Sequence, residues 1–264
     1  MTLALPTILP GSHYVRMVRP EMGGAMALTH LAIVKDENGS EARAFVKHFP
    51  EHAFRGLFNE WFGYAIMSAL GIPQPKAAVL NAPIPGTGTF GHAYVSFQPM
   101  PRSEGTPKEI YNLTDIQHWM IVANRLLECY SYAGMIAADQ LCINADRNLG
   151  NIVFTGKKSF VVIDHSEILG GNAWKVDDLL KTTAWVESKP LSICERFSKI
   201  SKSNQSAICA GADVIVEKFW DKYPEIKKAI NPDCIREIDI ALDALWWRSL
   251  SISQWFKKKF GVLA

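Results

Sequence analysis

Paired cysteines are missing from this sequence. The five present, Cys129, Cys142, Cys194, Cys209 and Cys234, are odd in number and form no C-x-x-C spacing. That excludes a disulfide framework and a zinc knuckle and leaves buried, reduced thiols as the expectation. No segment is uninterruptedly apolar over the ~18 residues that a membrane span needs. The opening MTLALPTILPGSHY has no basic region and carries two prolines, so neither a spanning helix nor a signal peptide is expected and the chain reads as cytoplasmic. On that reading the sequons at Asn38 and Asn112 mark surface turns rather than glycans. Charge of one sign is not in excess either: 28 Lys and Arg stand against 26 Asp and Glu, a net charge of +2. No dominant nucleic-acid-binding or membrane-binding field is therefore expected, with a local basic patch left open. Repeats and low-complexity tracts are also absent.

What is there is the material of a folded chain. With 264 residues, 48% hydrophobic and 20% charged, it can bury one large domain or two lobes. The first part reads as strands and turns: HYVRMV, then EMGGAMALTHLAIV, the polar turn KDENGSE, and ARAFVKHF. From Ala53 to Leu70 apolar residues recur at helical spacing, and Gly71, Pro73 and Pro75 end the run. KAAVL and GHAYVSF suggest two more strands, and QPMPRSEGTP reads as a linker. Beyond it the spacing predicts one long helix over Asp115 to Asp139. Helical patterns follow around KVDDLLKTTAW, SAICAGADVIVEKFWDKY and PDCIREIDIALDALWWRSLSISQWFKKKF, the last started by its proline, with Trp246, Trp247 and Trp255 expected in the core. The fold class is thus α+β and bilobal: a small antiparallel β-rich lobe with one key helix over residues 1–98, and a larger helical lobe over 99–264.

The stretch LCINADRNLGNIVFTGKKSFVVIDHSEIL, Leu141 to Leu169, carries the chemistry. NIVF, the turn TGKK and FVVID form a hairpin that returns Asp164 to the end where Asn151 began, so their oxygens can face one Mg²⁺-sized site. Asp146, in the loop just before, can accept a proton from an incoming hydroxyl. Hard oxygen ligands plus an aligned base are what phosphoryl transfer needs. Upstream, the strand ARAFVKHF presents Lys47 and the helix presents Glu60. A strand lysine can grip the phosphates of ATP while a helix glutamate fixes its ammonium. Gly23 and Gly24, between two strands, would let backbone N–H groups approach a phosphate. The nucleotide is expected between the lobes, near Phe97, Gln98 and Met100.

These residues resemble the HipA-like kinase family, related at the level of fold to protein kinases and phosphatidylinositol 3/4-kinases. The resemblance spans roughly residues 14 to 170 and rests on GGAMALTHL, AFVK, FNEWFGYAIMSALGIPQP and AADQLCINADRNLGN…VVIDHS in that order. It implies that Lys47 binds ATP, that Asp146 is the catalytic base, that Asn151 and Asp164 hold the metal, and that Asp139, Arg147 and His165 brace the loop. It also implies a protein substrate and a DNA-binding antitoxin as partner. The chain departs from the family pattern in places: the glycine loop contains Thr29 but no serine, Asn148 stands where many relatives have histidine, and His165 and Ser166 stand where ordinary protein kinases have Phe-Gly.

Adjacent Asp164, His165 and Ser166 do not make a hydrolase triad, whose members converge from separate elements. The leading expectation is an ATP- and Mg²⁺-dependent kinase acting on a hydroxyl, Ser or Thr of a protein first. Two alternatives stay open, an ATP-binding pseudokinase whose output is an interaction and a kinase of a lipid headgroup or small metabolite.

Overall fold

The computed structural model describes residues 3–20, 26–99, 104–179 and 185–262. Within them a six-stranded sheet is formed by β1 (Thr7–Ile8), β2 (Tyr14–Pro20), β3 (Leu28–Lys35), β4 (Glu41–His48), β5 (Ala77–Pro83) and β6 (Phe90–Phe97), in the order β1-β5-β6-β4-β3-β2. All neighbours are antiparallel except β1 and β5. The β3–β4 turn forms where the sequence asks for it. Asp36 Oδ1 accepts the N–H groups of Asn38 and Ser40, both at 2.9 Å, and Gly39 supplies the positive φ of 79°. The strand alternation then decides faces: Ala44, Val46 and His48 of β4 are buried on one side, so Lys47 points to the other. The first of these sides is the core of the small sheet, where Ala32, Val34, Ala78, Leu80, Ala93 and Val95 meet.

Helix α1 (Gly56–Leu70) ends as its sequence predicts, with Gly71 at φ 75° and its N–H bonded to the carbonyls of the last turn. Its packing is less expected. Phe62, Ala65, Ile66, Met67 and Leu70 belong to the large core shared with the helices after residue 115, not to the core of the sheet. Helix α1 therefore bears on the sheet with one side and on the helical region with the other.

The second region contains α2 (Pro107–Ile110), α3 (Ile116–Glu128), α4 (Tyr132–Leu141), the hairpin β7 (Ile152–Gly156) and β8 (Ser159–Val162), α5 (Val176–Leu179), α6 (Lys189–Phe197), α7 (Lys202–Ile230) and α8 (Arg236–Phe260). At the far end of the expected linker Gly105 bridges Phe154, and Thr106 opens α2 with a capping box.

The long helix expected over Asp115 to Asp139 is two helices. Cys129 turns extended, and the Tyr130 N–H goes to the Lys158 carbonyl at 3.2 Å instead of to a helical one. Arg125, one turn earlier, reaches the same hairpin, with Nη2 on the Gly156 carbonyl at 2.9 Å and its guanidinium 3.8 Å from the Phe154 ring centroid. The hairpin thus takes over the hydrogen bonds of the break, leaving Tyr130 exposed.

Other expectations are corrected in detail. Helix α8 begins after Pro232, at Arg236, because Asn231 takes the Ile235 N–H and carbonyl with its own side chain. Trp247 is exposed rather than in the core, and Arg248 occupies the buried side, donating to the Gln140 carbonyl. Helix α6 starts after a Ser188 cap with Pro190 in its first turn, a start signal not read from the sequence. Cys234 is exposed, unlike the four other thiols. Among the described residues no helix is long and apolar enough to cross a membrane.

Candidate functional site

Three elements converge on Lys47. β4 holds it between Thr29 of β3 and Tyr94 of β6, and its side chain is only 13% exposed. Its Nζ lies 2.6 Å from Glu60 Oε1 on α1 and 3.1 Å from Asp164 Oδ1 just beyond β8. Glu60 is fully buried, and its second oxygen accepts the His165 N–H at 2.9 Å. Burial by itself would favour neutral Lys47, but the charges of Asp164 and Glu60 outweigh it and raise its pKa. At Asp164 burial opposes ionisation, and the Lys47 ammonium with the Ser166 hydrogen bonds more than offsets it, holding the carboxyl well below the usual range. Glu60 goes the other way, pushed up to about 7 by burial, which Lys47 only partly relieves.

Asp164 sits at φ 64°, a left-handed conformation that Asp tolerates better than most residues. Helix α1 forms the wall behind the residues that follow Asp164. Gly63 of α1 lies so close that a Cβ there would be 2.5 Å from His165 Cβ. Asn59, one turn earlier, places Nδ2 within 2.7 to 3.1 Å of the carbonyls of Ser166, Ile168 and Gly171, while its Oδ1 accepts from Trp174. Helix α1 thus shapes the whole segment that follows Asp164.

A buried network braces the loop of Asp146. Asp139 on α4 accepts Nη2 of Arg147 at 3.1 Å and Nε at 3.2 Å, and Nη1 of the same guanidinium donates to the Ile163 carbonyl at 2.6 Å. Arg147 also meets His165 Nδ1 at 3.2 Å. Because a guanidinium only donates, Nδ1 accepts, and the ring proton on Nε2 goes to Gln74 Oε1 at 2.9 Å. Gln74 is fixed in turn by donating to the Tyr64 carbonyl. Burial first, and then the Arg147 charge, keep His165 neutral, well below its ordinary pKa.

The loop and hairpin place the remaining oxygens. Asn151 Nδ2 donates to the Asp146 carbonyl at 3.1 Å, and the Asn151 carbonyl accepts the Ile163 N–H at 3.0 Å, next to Asp164. The described contacts of the Asp164 carboxylate with Lys47 and Ser166 fall on Oδ1, leaving Oδ2 for a ligand. An amide oxygen and an ionised carboxylate are hard donors of the kind Mg²⁺ takes beside water and phosphate oxygens. Among the described residues no group of three or more His, Cys, Asp or Glu is placed to hold a metal, so a cation here would depend on that external oxygen supply. Asp146 is half-exposed, and Glu167, nearby, is raised by burial and by the charges of Asp146 and Asp164.

The structure therefore brings Lys47, Glu60 and Asp164 into one cluster and ties Asp146 to Asn151 through the loop. Phe97 is different: its side chain is packed in the core of the sheet, and its N–H and that of Gln98 already bond the Lys76 and Arg43 carbonyls. Gly23, Gly24 and Met100 lie outside the described residues. Asn59, Gln74 and Lys189, which pairs with Asp146, escaped sequence reasoning. Only Lys189 had a local signal, the Ser-Lys-Pro helix start.

No family model matches the chain, and no curated protein matches it in sequence. Among solved structures, the crystal structure of a Helicobacter pylori proinflammatory kinase, CtkA, matches with a TM-score of 0.60, covering 98% of this chain and 100% of that one at 14% identity. The likeness shows the architecture: a mixed α+β, bilobal kinase fold.

Proposed function

We propose that this chain is an ATP- and Mg²⁺-dependent phosphotransferase of the HipA-like type, moving the γ-phosphoryl group to a hydroxyl, with Ser or Thr of a protein as the acceptor. The observation that carries the reading is the Lys47 ammonium held at once by a helix glutamate, at 2.6 Å, and by the aspartate that follows the hairpin, at 3.1 Å. Two of its three protons are thereby committed, and the third is left for a phosphate oxygen. A lysine pinned in this way is pre-organised to hold the phosphates of ATP.

Asn151 and Asp164 would hold the cation, which when bound neutralises charge on the phosphate oxygens. Asp146 takes the proton of the acceptor hydroxyl as its oxygen attacks phosphorus. Arg147, fixed by Asp139, keeps the loop of Asp146 at a set distance from Asp164 by holding the Ile163 and Asp164 carbonyls. Support for the assignment also comes from the shared fold with the CtkA kinase. The test is transfer of label from γ-labelled ATP in the presence of Mg²⁺ to the chain itself, to a protein extract and to water. Wild type should label or hydrolyse, and Asp146→Asn should lose activity by ~10²-fold or more. Wild type that does neither under any divalent metal would overturn the reading.

A further inference from the structure

A second lysine meets a carboxylate at the loop of Asp146. Lys189, the first residue of α6, places Nζ 2.6 Å from Asp146 Oδ1, with the two side chains 49% and 45% exposed. An ion pair this exposed adds little to stability, yet the segment that carries it is anchored by buried groups. The Gln140 side chain donates to the Val186 carbonyl and accepts the Val186 N–H at 3.0 Å. Tyr132 donates its hydroxyl to the Pro190 carbonyl at 3.2 Å, and Ser188 caps the helix at Leu191. Both Gln140 and Tyr132 belong to α4, whose Asp139 fixes Arg147 beside Asp146. One helix thus sets the loop that carries the carboxylate and the helix start that carries the ammonium. A chance surface contact would not require that double anchoring.

We propose that Lys189 is a positioning residue on the acceptor side of the reaction, holding the Asp146 carboxylate in the orientation from which it takes the acceptor's proton. The inference rests on the phosphotransferase reading above. In the step concerned, the acceptor oxygen forms a bond to the γ-phosphorus and its proton passes to Asp146. The bond from that phosphorus to the bridging oxygen breaks, and its electron pair stays on ADP. Lys189 occupies Oδ1 of Asp146, and Asn148 Nδ2 stands 3.5 Å from Oδ2, too far for a strong bond. Oδ2 is thus the oxygen left to receive the proton. Lys47 and Lys189 then divide the work: the first acts on ATP binding and the second on turnover.

The experiment measures ADP release from Mg·ATP, with water as acceptor, and label transfer to dephosphorylated casein. It compares wild type, Lys189→Ala, Lys189→Arg, Asp146→Asn and the double variant Asp146→Asn/Lys189→Ala. Lys189→Ala should lower kcat by ~10-fold or more while the KM for ATP stays within about twofold, because only an interaction made through the base is lost. Lys189→Arg, which keeps the charge, should recover a large part of kcat. The double variant should be no slower than Asp146→Asn alone, since the two residues act as one unit. Turnover of Lys189→Ala equal to that of an active wild type, a change confined to the KM for ATP, or losses that multiply in the double variant would overturn the inference and leave the kinase reading standing. A wild type that releases no ADP and transfers no label would overturn both.

Discussion

The Glu60 carboxylate lies 2.9 Å from the backbone nitrogen of His165, 105 residues further along the chain, while its other oxygen holds Lys47 at 2.6 Å. A single buried side chain therefore registers the strand lysine against the segment that presents Asp164. Truncating it leaves a mostly buried ammonium with one partner fewer and a buried N–H with none. Glu60→Ala should lower unfolding free energy by about 3 kcal/mol and weaken ATP binding, checked by denaturant unfolding and nucleotide titration.

Asn59 closes the same segment from one turn earlier on α1. Its amide meets three carbonyls and the Trp174 indole, with only the Gly171 contact part-buried. Asn59→Ala strands several of these groups without water, at a cost on the order of 3 kcal/mol. Asn59→Asp should be no better, because it turns a donor toward carbonyls into an acceptor. Equal unfolding midpoints for wild type and Asn59→Ala would contradict this role.

Gly63 marks where α1 and the Asp164 segment come closest. A methyl group there meets His165 Cβ at 2.5 Å and His165 Cγ at 2.9 Å, and neither atom belongs to a flexible chain end. Gly63→Ala gains helix propensity but should still destabilise, by about 1–3 kcal/mol. It should also reduce activity by displacing Asp164. Thermal unfolding and turnover of this one variant check both effects.

How much of this was legible from sequence depends on the range of the interaction. The β3–β4 hairpin, the Gly71 exit of α1 and the turn between β7 and β8 follow from local chemistry, so alternation and turn residues found them. Lys47 and Glu60 were readable because each sits in a regular element whose period fixes its face. The break between α3 and α4 was not, since no glycine or proline marks it and its cause is a carbonyl on Lys158. Asn59 and Gln74 look like ordinary polar helix and loop residues until the chain has folded back on them. Trp247 is exposed although the apolar pattern placed it in the core, because Arg248 takes the interior side of the helix and finds the Gln140 carbonyl and the Trp255 ring there.

Acid should weaken the fold through the small sheet. His30 and His48 stack in its core with centroids 5.9 Å apart. Burial, and for His30 also the neighbouring His48, hold both below the ordinary histidine value, His30 at about 4. As pH falls through the unfolded value near 6.5, the unfolded chain takes up protons before the folded one does. The stability these histidines give is therefore full above that value and is lost as pH falls toward the folded one. The melting temperature should drop between about pH 7 and about pH 5, and drop less in His30→Leu. An equal drop in both proteins would show that other groups govern acid sensitivity.

Nucleotide titration with and without Mg²⁺ tests the central claim most directly, in wild type, Lys47→Met and Asp164→Asn. Asparagine is chosen because it tolerates the left-handed backbone at position 164 while removing the charge. Wild type should bind ATP at least ~10-fold more tightly with Mg²⁺ than without, Lys47→Met should lose binding in both conditions, and Asp164→Asn should keep nucleotide binding but lose the metal's effect. Wild type that binds no nucleotide, or Asp164→Asn that keeps the full response to Mg²⁺, would contradict the account.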